Sequence, residues 1–311
     1  MAWLVADVGG TWSRCGLAAD GALIGTPAVF PNAEFPGLAE LLESYLSGLP
    51  PATRPRHAAL GIAGPVGSDE IRMLNRGWSL SLRALGAGLA MDVIAAINDF
   101  EAVAWSLPAL RPQALAAVGN GSAIAGAPCV AIGPGTGLGV AALVQQGRVV
   151  VGGEGGHVTL PAQDEAEERI VRLARERYGH CSAERIVSGP GLSFLHEAMH
   201  GVPAVTAEEI GRRHEAGDAA AVATIRQFFR FLGTVAGNAA LTFCATGGVY
   251  IAGGIAPRYV DALRDSGFRE RFVAKGRYRE YLEAVPTWVV TAGDPALTGL
   301  ARYAASREVV G

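Results

Sequence analysis

The chain has 311 residues and a mass of 32.1 kDa; half of its residues are hydrophobic, 18% are charged, and the formal net charge is -3. That length suits two medium lobes or one large domain, with enough apolar residues for a sizeable core. Mixed charges and a slightly negative total exclude a general basic field for holding nucleic acid.

Residues 3–8 read as a strand running into the tight turn Gly9-Gly10-Thr11, with a return through residues 14–18. Asp20-Gly21 marks the next turn, and residues 22–30 read as another strand. Leu38, Leu41, Leu42, Tyr45 and Leu46 share one side of a helix over 38–49, ended by the prolines of 50–55. Residues 57–63 predict a buried strand closing at Gly64-Pro65, and 82–89 a short helix. Residues 92–97 predict a strand ending at Asn98-Asp99, ahead of a helix over 100–107. This alternation implies an α/β lobe, with a boundary in the proline- and alanine-rich segment 108–117.

The second lobe opens with a strand at 129–132, the turn Gly133-Pro134-Gly135-Thr136-Gly137, and a strand at 138–145. It repeats the strand-turn-strand device of residues 5–17, the weak internal symmetry expected of two related lobes facing each other across a cleft. Residues 164–178 predict a helix, and 219–243 a longer one with a bend near Gly233 to Gly237. A strand at 249–252 precedes Gly253-Gly254 at a helix start. A strand at 287–291 precedes a terminal helix at 295–305. The expected division is a small lobe of 1–108, to which 296–311 returns, and a large lobe of 109–295.

Several chemistries lack their residues. Lys275 is the only lysine, so no Walker A loop is present, and a Schiff base would have to use Lys275, in an arginine-rich stretch read as exposed. Cys15, Cys129, Cys181 and Cys244 are far apart and form no C-x-x-C, which points to idle thiols rather than a disulfide framework or zinc cluster. Residues 1–7 lack a basic start and meet an aspartate early, unlike a secretory leader. The uncharged stretches 112–147 and 231–257 are broken by glycines and polar residues, and read as buried elements rather than membrane spans.

Polar chemistry gathers in the turns. Asp7-Val8-Gly9-Gly10-Thr11 sets an acid at a strand end, before amides and a Thr11 hydroxyl that can cradle phosphate oxygens. Asp7 can hold magnesium, directly or through water. An ordinary glycine hairpin has the same composition. Gly135, Thr136 and Gly137 supply a second cradle, so two turns can grip a triphosphate without a lysine. Asp99 follows an apolar strand, where a carboxylate can accept the proton of a hydroxyl during phosphoryl transfer, with Asn98 on a neighbouring hydroxyl. Asp99 is equally placed to cap the following helix. Glu154, His157 and Glu184 mix donors and acceptors as polyol recognition requires; a Glu and His pair can also bind metal, but no H-E-x-x-H accompanies it. Gly253 and Gly254 let an adenosine lie against the backbone, or simply permit a packed crossover. His196 and His200, four apart on a helix, read as a surface pair.

The strings DVGGT (7–11), AGPV (63–66), INDFEAVA (97–104), GPGTGLGVA (133–141), GEGGH (153–157), ERIVSGPG (184–191) and GGVYIAGGI (247–255) occur in order along nearly the whole chain. In these the sequence resembles the bacterial glucokinase family of the hexokinase and actin-like superfamily. The resemblance implies a two-lobed, ribonuclease H-like α/β fold with a hinge and a central cleft that closes on glucose. It implies ATP and Mg2+ as cofactors, Asp99 as general base toward the sugar 6-hydroxyl, and Asn75, Asn98, Glu154, His157 and Glu184 as the sugar shell. Asp7, Gly9, Gly10 and Thr11 become the first phosphate and magnesium motif, Gly135, Thr136 and Gly137 the second, and Gly253 and Gly254 part of the adenosine site. A cytoplasmic homodimer acting on glucose is implied, without nucleic-acid or membrane partners.

The family pattern DVGGTNAR reads DVGGTWSR here: Trp12 replaces a small amide with aromatic bulk beside the phosphate turn, and Arg14 is retained. Altered nucleotide use is the expectation. Kinase action on another hexose and a noncatalytic sugar sensor are the alternatives; retention of Asp99 and Glu154 counts against the sensor. The absence of the cysteine cluster and helix-turn-helix of the related repressors counts against a sugar-responsive repressor.

Overall fold

The computed structural model describes residues 1–308 except Pro65, Ser68, Leu74, Asn75, Arg76 and Ala292, and only the backbone of Arg72. The chain divides into two compact units, Met1–Leu110 with Gly293–Gly311, and Arg111–Ala292.

In the first unit, β1 (Trp3–Val8), β2 (Trp12–Ala19) and β3 (Ala22–Pro31) form an antiparallel meander. The apolar run of β1 is buried along both faces, as a central strand requires. After α1 (Leu38–Ser47), whose Leu38, Leu41, Leu42 and Leu46 face the core as their spacing predicts, β4 (His57–Ile62) joins β1 in parallel. A two-stranded ribbon follows, β5 (Glu70–Met73) with β6 (Trp78–Ser81), then α2 (Leu82–Gly88). Strand β7 (Val93–Asn98) pairs in parallel with β4 and feeds α3 (Asp99–Ser106). The sheet order is β3-β2-β1-β4-β7.

The second unit repeats that topology. Strands β8 (Leu115–Ala117), β9 (Cys129–Pro134), β10 (Leu138–Val144) and β11 (Val149–Gly153) precede α4 (Glu165–Tyr178), α5 (Gly189–His200), α6 (Ala207–Glu215) and α7 (Ala219–Thr242). Then come β12 (Gly248–Ile251), α8 (Val260–Asp265), α9 (Phe268–Val273), α10 (Arg279–Ala284) and β13 (Thr287–Val290). The order is β11-β10-β9-β12-β13-β8. Without β8, both sheets read third-second-first-fourth-fifth strand, with an antiparallel meander continued by parallel strands. The sequence symmetry between the two glycine turns is thus a symmetry of sheets.

Helix α7 runs unbroken through Gly233 and Gly237. A Cβ at these positions would meet the α9 carbonyls of Phe268 at 2.3 Å and Phe272 at 2.4 Å, so the glycines admit a neighbouring helix. The C-terminal helix α11 (Pro295–Glu308) belongs to the first unit and packs on α3. Its Gly299 lies so close that a Cβ would come within 1.6 Å of the Ala102 carbonyl oxygen. Backbone cannot yield as a side-chain tip can. Gly299→Ala is therefore expected to destabilise the protein by about 3 kcal/mol, read as a fall in the urea midpoint; an unchanged midpoint would contradict this contact.

Two expectations are corrected. His196 is buried and His200 half-buried, not a surface pair: their ring nitrogens lie 2.8 and 3.1 Å from one Thr224 hydroxyl. Burial holds the His196 pKa below its ordinary value. Lys275 is half-buried rather than exposed; it donates to the Thr234 carbonyl at 3.1 Å, and burial lowers its pKa, with Arg271 adding to the effect. All four cysteines are free. Among the described residues no helix is long and apolar enough to cross a membrane.

Candidate active site

In the first unit the hairpin register sets Asp7 opposite Arg14. Arg14 reaches Asp7 at 3.5 Å through Nη1 and Asp294, the residue before α11, at 3.3 Å through Nε. Burial pushes the Asp7 carboxyl up to about 6; Arg14 opposes that rise and Asp294 adds to it. The turn after β1 closes by a Gly9 amide donating to the Trp12 carbonyl at 3.1 Å. Trp12 is 51% exposed, so its indole does not fill the turn; Ser13 points inward instead.

At the end of β7, Asn98 caps α3: its side chain accepts from the Phe100 amide at 2.8 Å and donates to the Gly64 carbonyl at 3.2 Å. Asp99 is the first helical residue, with its Oδ1 2.9 Å from the same amide. The cap is Asn98, and Asp99 adds an acid to the first turn of α3.

In the second unit, three acid–base side chains meet. His157 Nε2 lies 3.6 Å from Glu154 Oε2 and 3.9 Å from Glu184 Oε1. Glu184 also accepts from the Leu138 amide at 2.9 Å, at the end of the second glycine turn. The close packing depends on glycine: a Cβ on Gly137 would come within 2.4 Å of Glu184 Oε2, and one on Gly156 within 2.1 Å of the Leu138 carbonyl oxygen. Gly253, at φ +83, brings its loop against the same turn, 2.5 Å from the Pro134 carbonyl oxygen for an added Cβ. A cavity of about 640 Å³ is lined by Gly135, Thr136, Gly189, Gly254 and Tyr259 among others. Gly253 and Gly254 precede a 3-10 turn, Ala256–Tyr259, rather than opening an α-helix directly.

Residues 4–307 match the glucokinase family. The chain is 42% identical to a glucokinase of Cupriavidus metallidurans over 98% of this chain and 93% of that protein. It is 44% identical to a glucokinase of Ralstonia nicotianae over 96% of this chain and 93% of that one. The chain belongs to the glucokinase family. The crystal structure of a glucokinase from an Antarctic psychrotroph superposes with a TM-score of 0.86 at 33% identity, covering 97% of this chain and 98% of that one. The two-lobed α/β glucokinase fold is therefore this chain's fold.

Within that family frame, the structure gathers Glu154, His157 and Glu184 with Gly135, Thr136, Gly137, Gly253 and Gly254 in one unit. It gathers Asp7, Gly9, Gly10, Thr11, Asn98 and Asp99 in the other. Asn75 lies outside the described residues. Sequence reasoning missed Asp294, Asn32 and Ser13. Arg14 was legible as the cross-strand partner of Asp7, had the hairpin register been counted from its turn. Asp294-Pro295 signals a helix start, which says nothing of its ion pair.

Proposed function

We propose that this glucokinase-family chain transfers the γ-phosphoryl group of ATP to the 6-hydroxyl of glucose, giving glucose 6-phosphate and ADP. The observation that carries the reading is the meeting of Glu154, His157 and Glu184 at a glycine turn, in a chain that matches the family over residues 4–307. Two carboxylates and an imidazole accept and donate to several hydroxyls at once, which a polyol needs and a bare water site does not.

Asp99 accepts the proton of the 6-hydroxyl as the bond from that oxygen to the γ-phosphorus forms and the bond to the β-phosphate oxygen breaks; the proton then passes to solvent. Asn98 holds a neighbouring hydroxyl. The Gly9 and Gly135 amides close their turns on the Trp12 and Gly137 carbonyls, at 3.1 and 2.8 Å; the amides of Gly10, Thr11, Thr136 and Gly137 bind phosphate oxygens, and Gly253 and Gly254 lie against the adenosine. Mg2+ suits the hard oxygens of the mostly buried Asp7 carboxylate, whose proton affinity burial raises against the opposing pull of Arg14. Asp7 would hold the ion, through water, and the ion would neutralise charge on the phosphates.

A coupled assay with ATP, Mg2+ and a panel of hexoses tests the reading. Glucose is expected to give the highest kcat/KM, because a pocket built to pair hydroxyls rejects epimers that leave its polar groups unpaired. A higher value for mannose, fructose or glucosamine would move the assignment to that hexose; no turnover on any would favour a sensor. The same preparation is expected to run as a homodimer of 32.1 kDa chains, in keeping with a cytoplasmic enzyme; a monomer removes that element.

A further inference from the structure

We infer that Asn32, together with Ser13, is a positioning residue for the Gly9-Gly10-Thr11 turn; the inference rests on the reading of that turn as a phosphate cradle. Asn32 follows the last residue of β3 and belongs to none of the motifs that mark the family, yet it is fully buried, as is Ser13. Its backbone amide donates to the Thr11 carbonyl at 3.0 Å, and its side-chain amide donates to the Gly9 carbonyl at 2.7 Å. Its Oδ1 accepts from the Ser13 hydroxyl at 2.7 Å. One residue thus ties down two carbonyls of the turn, and the buried Ser13 hydroxyl fixes the orientation of its amide.

Fixing a carbonyl fixes an amide. In a trans peptide the C=O of one residue and the N–H of the next point in opposite directions. Holding the Gly9 carbonyl toward Asn32 sets the direction of the Gly10 N–H, and holding the Thr11 carbonyl sets that of the Trp12 N–H. Amide direction is what a phosphate cradle depends on. A glycine pair restrains these peptide planes less than residues carrying a Cβ would. The side chain must supply both a donor and an acceptor, which asparagine does; aspartate would set a carboxylate oxygen against the Gly9 carbonyl, and leucine would supply neither. The family pattern carries alanine where this chain has Ser13, so the hydroxyl that orients Asn32 is a departure of this chain, adjacent to the departure at Trp12.

The test compares Asn32→Leu, Ser13→Ala and, as a reference for the turn itself, Thr11→Ala. Steady-state KM is measured for Mg·ATP and for glucose, and ADP and glucose affinities by calorimetry without turnover. Asn32→Leu is expected to raise the Mg·ATP KM and weaken ADP binding about tenfold, with the glucose affinity held within about twofold. Ser13→Ala should move the same nucleotide parameters about threefold in the same direction, and decides the matter if Asn32→Leu does not fold. A nucleotide affinity unchanged in both folded variants, or glucose and nucleotide affinities weakened alike, overturns the positioning role. If Thr11→Ala also leaves nucleotide binding unchanged, the turn is not a phosphate cradle, and the underlying reading fails along with the inference.

Discussion

Replacement of Asp99 by asparagine is expected to lower kcat for glucose phosphorylation about a thousandfold, the middle of the range for losing a general base. That loss corresponds to about 4 kcal/mol of transition-state stabilisation. Asparagine keeps the shape of the side chain, and its Oδ1 can still accept from the Phe100 amide as Asp99 does at 2.9 Å. Asn98, the actual cap of α3, is untouched, so the helix start survives. The carboxylate charge lost from the first turn is worth about 0.5 kcal/mol. Glucose affinity by calorimetry should change by less than about threefold, since the substitution removes an interaction made chiefly in the transition state. A variant with ordinary turnover would sink the assignment of Asp99. One that had lost glucose binding in proportion to turnover would recast Asp99 as a sugar ligand rather than a base.

The sequence made some of this site readable and hid the rest, for physical reasons. Strand-turn-strand segments around Gly9-Gly10-Thr11 and Gly135-Thr136-Gly137 are local: alternation, glycine and a following apolar run mark them without any knowledge of the fold. The helix over 164–178 is local too, although Asp164 is its cap, accepting from the Glu167 amide at 3.0 Å, rather than its first helical residue. Residues whose polar groups are satisfied from afar were misread. His196 and His200 carry no local sign that Thr224, on a different helix, will take up both rings. Lys275 looks solvated because its neighbours are arginines, but α7 offers it the Thr234 carbonyl. Glycine at 233 and 237 carries no local sign of α9, the segment whose backbone comes close to both. Asn32 and Asp294 are ordinary turn and cap residues in sequence; only the sheet register and the return of α11 bring them to Gly9 and Arg14.

Asp7→Asn is expected to make the protein more stable and less active at once. The Asp7 carboxyl is raised from an ordinary value of 3.8 to about 6, chiefly by burial. A raised acid favours its protonated form in the folded state. Its contribution to stability is therefore fully present below about pH 4, and is lost as pH rises through about 6. Above that, the folded protein carries an ionised, mostly buried carboxylate at a cost on the order of 3 kcal/mol. Asparagine cannot ionise, so the cost disappears, and Arg14 retains Asp294 as a partner at 3.3 Å. Urea unfolding in chelator should find the variant and the parent alike near pH 4. The gap in favour of the variant should open between pH 4 and 7 and stay level above. Turnover should move the other way, falling at least about a hundredfold if Asp7 holds the Mg2+ of the nucleotide. Addition of Mg·ADP should stabilise the parent and leave the variant nearly unmoved, because a ligand stabilises only the fold that binds it. A variant less stable than the parent at pH 7 would show that Arg14 outweighs burial at this carboxylate. Equal stabilisation of both by Mg·ADP would remove Asp7 from the nucleotide site.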